Sequence, residues 1–478
     1  MERLVVGWIF LPFLIGFIAY LLPNIDRYLA SIISIFSIIF GGIVLVNRLD
    51  FTLELIDRFS VTLKVDNLSG YFILTNGLVS LAVVLYCWTK EKTAYFYTQF
   101  IILHGSINSV FCCADLISLY VALEVIGIAT ALLISYPRDN RSIWIALRYL
   151  FISNTVMLFY LIGAILVFQN QNSFAFTALK GAPIAGITLI LLGLLTKGGI
   201  FISGMWLPLT HAESDSPVSA TLSGVVVKTG IFPIVRCAQI VDEIAPIVEI
   251  FSVASATIGV SLGMVSTDIK RVFAFSTISQ LGYVLTGGEG AGLYALTHGL
   301  AKAGLFLSSG NLSSRQLKQI NQVPLYLWFV LATCSFSIIG LPLLSGYAAK
   351  SFVLEQLPQW QNLWLSICSV GTTIVFAPVL FLSFSKDSEQ KTPWGFRWGS
   401  FLLIGGLILA NLFYLDAYKF SKIIFSLAKI FLGILIYSIV TNKLNFNYNS
   451  PLEKFENLVG IFTIVTIIIF GILNYELL

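Results

Sequence analysis

Long apolar stretches separated by short polar turns recur along the whole chain. A transmembrane helix needs about 20 mainly apolar residues, and these stretches have that length. They are continuous and do not alternate between apolar and polar positions, which argues against a membrane β-barrel. The pattern predicts an all-α polytopic membrane protein with about 14 to 16 transmembrane helices, the uncertainty lying mainly after residue 398. The predicted helices lie near 5–22, 28–46, 69–89, 94–113, 116–135, 145–168, 184–207, 217–240, 244–266, 271–287, 291–311, 326–355, 362–385, 399–416, 420–441 and 457–475.

Three segments depart from this regular pattern. The segment 47–67 is polar enough to form an extramembrane loop or a short hairpin. Two predicted helices contain helix breakers, one around Gly198–Gly199 and Pro208, the other around Gly340–Pro342 and Gly346. Interrupted helices in corresponding halves of a transporter indicate a site near the middle of the membrane. We therefore expect functional residues close to both breaks.

Composition supports the membrane assignment and excludes several other classes of protein. The chain has 478 residues, of which 57% are hydrophobic and only 11% charged, whereas soluble domains carry about 25% charged residues. The net charge of +4 is spread over the loops without a basic run, so no nucleic-acid partner is expected. The six cysteines form no CxxC pair and the three histidines are dispersed, so we expect no metal site. The chain has no P-loop, and the glycine-rich run at 288–292 lies between hydrophobic helices, so we expect no cofactor.

The basic residues of the short loops predict the orientation of the chain, because cytoplasmic loops are enriched in Lys and Arg. With alternating crossings, the set expected in the cytoplasm comprises Arg27, Lys90, Lys92, Arg138, Arg141, Lys270, Arg271, Arg315, Lys318, Lys386, Lys391, Arg397, Lys443 and Lys454. The opposite set comprises Arg3, Arg48, Arg58, Lys64, Lys180, Arg236, Lys419 and Lys422. The N-terminus is then expected on the outer or lumenal side.

Ionisable side chains inside the apolar helices are the candidate functional residues. Each charged residue at a helix centre costs about 2.5–3.5 kcal/mol on insertion scales, so such residues are expected to face one another or a hydrated interior. The candidate proton-path residues are Glu124, Lys197, Lys228, His298, Lys302 and Lys350.

Their chemistry suits proton transfer. Apolar surroundings weaken the hold of a lysine on its proton, and a nearby carboxylate restores it, so a Glu–Lys pair of variable distance can take up and release a proton. Glu124 and Lys197 are the candidate pair, and His298 lies four residues before Lys302 on the same helix face. The alternative is a buried salt bridge or a lysine that snorkels to the membrane surface, the latter applying to Lys429 or Lys350. Asp115 at a helix start is either a cap or a path residue.

Four ordered sequence blocks resemble one known family. They are the run from Lys197 through Trp206-Leu-Pro-Leu-Thr-His to Arg236, the run Asp268–Gly282, the run Thr297–Phe306, and Gly340-Leu-Pro with Gly346–Lys350. The resemblance covers about residues 65–385. The blocks are similar to the antiporter-like membrane subunits shared by respiratory complex I, its photosynthetic relative and Mrp-type sodium/proton antiporters.

The resemblance implies two inverted five-helix repeats, each with a broken helix, in a single membrane domain. The expected divisions are N-terminal helices at 1–93, a first repeat at 94–240, a second repeat at 244–385 and C-terminal helices at 386–478. By motif position Glu124 and Lys197 resemble the coupling pair, Lys228 and Lys302 resemble lysines of a central axis with His298 beside them, and Lys350 resembles the exit residue. The expected partners are other membrane subunits, protons and sodium ions, in a bacterial-type inner membrane or a thylakoid membrane.

The sequence departs from the family pattern at two places. Phe201–Gly204 replaces a Phe-Pro-x-His stretch usual in complex I members, and Gln280 replaces a usual histidine. These departures and the compact length favour a proton-translocating subunit of a cation/proton antiporter over a pumping subunit of a complex I-like oxidoreductase. A third reading, an unrelated solute carrier, would require all four blocks to match by chance.

Overall fold

The computed structural model describes residues 2–56, 61–286, 288–385, 392–440 and 453–475. Helices account for most of it, and each predicted helix corresponds to an observed helix or to a broken pair of helices. The helices of the N-terminal part and first half are α1 (Glu2–Leu21), α2 (Asp26–Asn47), α3 (Asn67–Cys87), α4 (Ala94–Val110), α5 (Leu116–Ile134), α6 (Asn140–Gln171), α7 (Ile184–Lys197), α8 (Leu207–Glu213), α9 (Ser216–Thr221) and α10 (Lys228–Ala238). The later helices are α11 (Ala245–Val265), α12 (Ile269–Leu285), α13 (Gly290–Ser309), α14 (Leu325–Ile339), α15 (Ser345–Glu355), α16 (Gln359–Leu380), α17 (Trp394–Leu409), α18 (Phe420–Val440) and α19 (Phe455–Tyr475).

Among the described residues, ten helices are long and apolar enough to cross a membrane, or eleven if the bent pair α7–α8 is taken as one span. This number is smaller than the 14 to 16 predicted spans. The predicted spans that are not among these helices include α4 and α12, which have 17 residues each, and α14, which has 15. The chain is an integral membrane protein of the predicted all-α class.

The polar segment 47–67 contains a hairpin, as predicted. Strand β1 (Phe51–Ile56) pairs in antiparallel fashion with β2 (Val61–Val65). The hairpin is fixed to the start of α5, where the Asp115 carboxylate accepts hydrogen bonds from the Thr62 amide at 3.0 Å and the Ser118 amide at 2.7 Å. Asp115 is therefore a helix cap, the first of its two predicted roles. A second, two-residue pairing joins β3 (Val323–Pro324) to β4 (Phe384–Ser385).

Both predicted helix breaks are present. Helix α7 ends at Lys197, and the chain passes through a short turn, Phe201–Gly204, into α8 at an angle of 43°. A side-chain carbon at Gly199, whose φ is +66°, would lie 2.3 Å from Leu207 Cδ1, so only glycine fits there. The predicted continuous helix 326–355 is likewise divided, since α14 ends before Gly340 with φ +97° and α15 begins at Ser345.

The helices form two successive series that share one order. The first series runs from α4 to α10 and the second from α11 to α16, and the broken pair, α7–α8 or α14–α15, is the fourth span of each. Helix α13 lies at the centre of the bundle, where it packs against α3, α9, α12, α14, α15 and α17, and all 20 of its residues are buried. Helix α18 packs against α16 of the second series, whereas α19 returns to α7 of the first.

Ion pairs connect the loops at each end of the bundle. At one end they join several loops that carry the predicted cytoplasmic set: Lys92–Asp215, Arg141–Glu213, Arg315–Asp268 and Arg271–Glu453. At the other end Arg236 binds both carboxylate oxygens of Asp66, at 2.9 and 3.0 Å. Burial raises the pKa of the Asp66 carboxyl, but Arg236 and the Ser69 amide outweigh it and hold this pKa below its ordinary value. Of the two predicted basic sets, Arg58, Lys386, Lys391 and Lys443 lie outside the described residues.

Candidate functional site

Lys197 and Glu124 lie beside each other in the first half of the bundle. Lys197 is the last residue of α7, and its Nζ donates hydrogen bonds to the Leu123 carbonyl at 3.0 Å and to Ser153 Oγ at 2.6 Å. Leu123 directly precedes Glu124 on α5, yet no Lys197–Glu124 ion pair of 4.0 Å or less is formed. Glu124 Oε1 is buried and has no hydrogen-bond partner among the described residues. The two groups are thus neighbours in an unpaired arrangement.

The helix break creates the space around Lys197. A cavity of about 10 Å³ is lined by Lys197, Ser153, Thr196 and Trp206, which is roughly the space that one water needs. The Trp206 indole donates to the Thr196 carbonyl at 2.8 Å, which satisfies a backbone group freed at the end of α7. On the facing helix, a side-chain carbon at Gly127 would lie only 3.2 Å from Lys197 Nζ. Small and polar neighbours therefore hold this ammonium inside the bundle.

Lys228 and His298 make direct contact at the boundary of the two series. Lys228 Nζ lies 3.1 Å from His298 Nδ1 and 3.1 Å from the Ser223 carbonyl, and the Lys228 side chain is completely buried. The Ser223 carbonyl is available because residues Leu222–Val226 form a π-helical turn just before α10, and such turns are frequent at functional sites. His298 Nε2 is buried without a partner in the described part of the chain. A proton held by Lys228 therefore has an imidazole acceptor within hydrogen-bond distance.

Lys302 lies one turn beyond His298 on α13. Its Nζ donates at 2.8 Å to both the Phe273 carbonyl and Ser276 Oγ of α12. The sequence predicts that His298 and Lys302 share one face of α13. In the structure Lys302 contacts α12, whereas His298 contacts Lys228 of α10. The two residues belong to one helix but have separate partners.

A polar cavity lies between His298 and the second broken helix. It has a volume of about 10 Å³ and is lined by His298, Gln280, Tyr294, Ser337 and Gly346 among others. The Tyr294 hydroxyl donates to Gln280 Oε1 at 2.5 Å. Gln280, where the family usually has a histidine, thus supplies an amide in place of a titratable ring at this point. The cavity joins the central helix to the break between α14 and α15.

Lys350 occupies that second break. Its Nζ donates to the Ile338 carbonyl at 3.0 Å and the Ile339 carbonyl at 3.3 Å, the two groups freed where α14 ends. It also lines a polar cavity of about 150 Å³ with Lys429, Glu355 and Lys422. Because Lys350 is 4% exposed, it does not snorkel to the surface. The cavity leads from this lysine toward the Lys422–Glu355 ion pair.

Several polar neighbours of these residues were missed in the sequence. The hydroxyls of Ser153 and Ser276 accept hydrogen bonds from Lys197 and Lys302, and a lone serine in an apolar helix gives no signal of such a partner. His211, one of the three histidines dispersed along the sequence, is fully buried on α8. Its ring stacks on Phe306, with centroids 4.5 Å apart, and neither ring nitrogen has a partner among the described residues.

The site is built from buried groups that can bind a proton. Among the described residues there is no group of three or more His, Cys, Asp or Glu side chains that could hold a metal ion. Two of the buried lysines, Lys228 and Lys350, lie at discontinuities of helices, where freed carbonyls accept hydrogen bonds from their ammonium groups. Buried ionisable residues held in this way are typical of proton and ion transport proteins.

Comparison with known proteins agrees with this class. The chain belongs to the family described as "NADH:quinone oxidoreductase/Mrp antiporter, TM", whose profile matches residues 113–376. It is 26% identical over 368 residues to "NAD(P)H-quinone oxidoreductase chain 4 2" of Trichodesmium erythraeum, a match that covers 70% of this chain and 66% of that one. It is also 26% identical over 371 residues to "NADH-quinone oxidoreductase subunit N" of Desulforudis audaxviator, covering 70% and 74%. The match to the cyanobacterial relative thus spans slightly less than two thirds of its length.

Solved structures share the fold at low sequence identity. A chain of the membrane-bound sulfane sulfur reductase, an archaeal respiratory membrane complex, superposes with a TM-score of 0.78 and 16% identity, covering 92% of this chain and 100% of that one. A chain of the Mrp complex from Dietzia sp. gives a TM-score of 0.78 and 19% identity, covering 96% and 58%. The fold is therefore that of these complexes' membrane subunits.

Proposed function

We propose that this chain is a proton-translocating membrane subunit of a multi-subunit complex. The observation that carries the proposal is the 3.1 Å contact between Lys228 and His298, which links the first series of helices to the second. The proposed path begins at Glu124 and Lys197, continues through Lys228, His298 and Lys302, and ends at Lys350. Each member is a group that can bind a proton, and none is explained by stability, since buried charges are costly.

We favour a pumping subunit of a complex I-like quinone oxidoreductase as the particular complex. The named relatives, a chain 4 and a subunit N, support this choice. The sequence alone favoured the cation/proton antiporter, so this choice reverses that preference. In this function the redox reaction takes place in other subunits, and this chain converts its energy into proton movement.

A second candidate is the proton path of an Mrp-type cation/proton antiporter. It is supported by the fold shared with the Mrp complex over 96% of this chain. The amide of Gln280, in place of the usual histidine, and the Phe201–Gly204 turn are further departures from complex I members. The exchanged cation in this second candidate is sodium.

The topology and repeats are part of the proposal. We place the N-terminus on the outer or lumenal side and the ion-paired loops that include Lys92 and Arg315 in the cytoplasm of a bacterial-type cell, or on the equivalent side of a thylakoid membrane. Residues 94–240 and 244–385 act as the two repeats. Five spans per repeat would place the second in the opposite orientation to the first.

Proton movement in inverted membrane vesicles tests the proposed path. Glu124→Gln and Lys197→Ala should each abolish proton translocation while the complex still assembles, because each removes one member of the coupling pair. Lys180→Ala, an exposed lysine in a loop, is the matched control and should leave translocation unchanged. Full translocation in both path variants, with assembly verified, would refute the proposal.

Purification of the intact complex separates the two candidates. An affinity tag on the chain should recover subunits with iron–sulfur clusters or quinone-dependent activity if the first candidate is correct. Recovery of only small hydrophobic subunits, together with sodium-dependent proton exchange in vesicles, would establish the second and contradict the first.

A further inference from the structure

A large apolar cavity lies away from the proton path, between α6, α7 and α19. Its volume is about 300 Å³, within the range of small-molecule sites. Its walls include Phe151 on α6, Leu192 on α7, and Val459, Thr463 and Ile467 on α19. The Thr463 hydroxyl is directed to the Val459 carbonyl of its own helix, at 3.3 Å, so the wall is apolar.

The cavity is open to the side of the bundle. Phe151, Val459 and Ile467 are 56%, 58% and 66% exposed, so they face the bilayer core. Water is excluded from this depth, and an apolar cavity open to lipid is filled by hydrocarbon. The lining residues on α19 extend from Phe455 to Ile467, a rise of about 18 Å at 1.5 Å per residue. This is slightly more than half of the roughly 30 Å hydrocarbon core, so the cavity matches an acyl chain of one leaflet.

A buried arginine with two unpartnered donors lies one helical turn away from the cavity wall. Arg148 is 5% exposed and lies one helical turn before Phe151, on the same face of α6. Its Nη2 donates to the Glu453 carbonyl oxygen at 2.7 Å, while Nε and Nη1 have no partner among the described residues. A buried guanidinium with two unsatisfied donors is costly unless an acceptor is bound, and an anionic acceptor compensates its charge as well.

The neighbouring acid does not satisfy this arginine. Both carboxylate oxygens of Glu453 accept from Arg271 Nη1, each at 2.8 Å. The cluster of Arg148, Arg271 and Glu453 therefore carries one excess positive charge. Glu453 precedes Phe455 by two residues. The Phe455 ring packs edge-on against Phe151, with ring centroids 5.1 Å apart, and both residues line the cavity.

We propose that this cavity is a binding site for one membrane lipid with an anionic headgroup. The acyl chain lies between α6, α7 and α19, and a headgroup phosphate accepts hydrogen bonds from Arg148 Nε and Nη1. Arginine suits this role because its planar guanidinium matches phosphate oxygens. The bound lipid forms part of the wall against α7, the helix that ends at Lys197.

Lipid retention by the full-length chain tests this site. The protein is extracted in mild detergent from vesicles of equal phosphatidylglycerol and phosphatidylcholine, and bound lipid is measured by native mass spectrometry. We expect one phosphatidylglycerol per chain. Arg148→Gln should remove the preference for phosphatidylglycerol, a change of about tenfold for a lost charged hydrogen bond. Arg138→Gln, the loss of an exposed charge, should leave the preference intact.

A second pair of variants tests the acyl-chain cavity independently. Thr463→Trp places a large ring in the cavity and should reduce lipid retention by about tenfold, whereas Ile464→Trp, at the next position on α19 and outside the lining, should not. Equal retention of both lipids by the unaltered chain, or equal effects of the two tryptophan variants, would overturn the proposal. Crosslinking of Val459→Cys to another subunit in native membranes would assign this face to a protein partner and also overturn it.

Discussion

Replacement of Ser153 by alanine tests the environment of Lys197 without altering Glu124 or Lys197, the proposed coupling pair. The Lys197 ammonium has two acceptors, the Leu123 carbonyl at 3.0 Å and Ser153 Oγ at 2.6 Å, and the substitution removes the shorter bond. A hydrogen bond to a charged group contributes about 1.5–3 kcal/mol. The ratio of charged to neutral Lys197 should therefore fall by a factor of about 10 to 150.

The assay is proton translocation by the assembled complex in vesicles, measured as a function of pH. Ser153→Ala should reduce the rate near neutral pH by about tenfold or more, and the rate should recover at lower pH, where protonation is restored. Ser109→Ala is the control, because that hydroxyl bonds only the Gly105 carbonyl of its own helix at 3.0 Å. An unchanged rate and pH profile in Ser153→Ala would refute the role assigned to this hydrogen bond.

Two further substitutions follow from the ends of the bundle. Arg236→Met removes the two short hydrogen bonds to the partly buried Asp66 carboxylate, which keeps only the Ser69 amide at 3.0 Å and Lys64 Nζ at 3.7 Å. The fold should lose about 1.5–3 kcal/mol of stability, seen as a lower thermal unfolding temperature in detergent. Because the pKa of Asp66 is depressed, the pair stabilises the fold above about pH 4 and this contribution is lost below it. Lys429→Met removes a positive charge from the cavity shared with Lys350 and should slow proton release several-fold in stopped-flow pH measurements. Lys419→Met, which replaces an exposed lysine, should not slow proton release. Equal release rates in the two lysine variants would exclude the cavity as the exit of the proton path.

The sequence predicted the elements of the fold because membrane helices are encoded locally. Continuous apolar runs located each helix, and Gly340 and Gly199 located the two breaks, since glycine adopts the left-handed conformations required there. The sequence did not predict the π-helical turn at Leu222–Val226, because a one-residue widening of a helix leaves its apolar pattern intact. It also did not reveal how short α14 is, because the apolar run continues past the end of that helix.

The candidate site was predictable in its ionisable members but not in their contacts. Lysines and a glutamate inside apolar helices are conspicuous because their insertion is costly. Their partners are carbonyls and serines contributed by other helices, such as Leu123 and Ser153 for Lys197, and these depend on how the helices pack. For the same reason, the pairing of Lys228 with His298 could not be derived from the spacing of either residue.

The central claim is that protons cross the boundary between the two series at Lys228 and His298. The most direct test is the number of protons translocated per turnover by the purified, reconstituted complex that carries Lys228→Met, with Lys180→Met as the control. The account predicts that Lys228→Met abolishes net proton translocation, whereas the control retains the normal ratio. A normal ratio in Lys228→Met, with the variant fully assembled, would contradict the account.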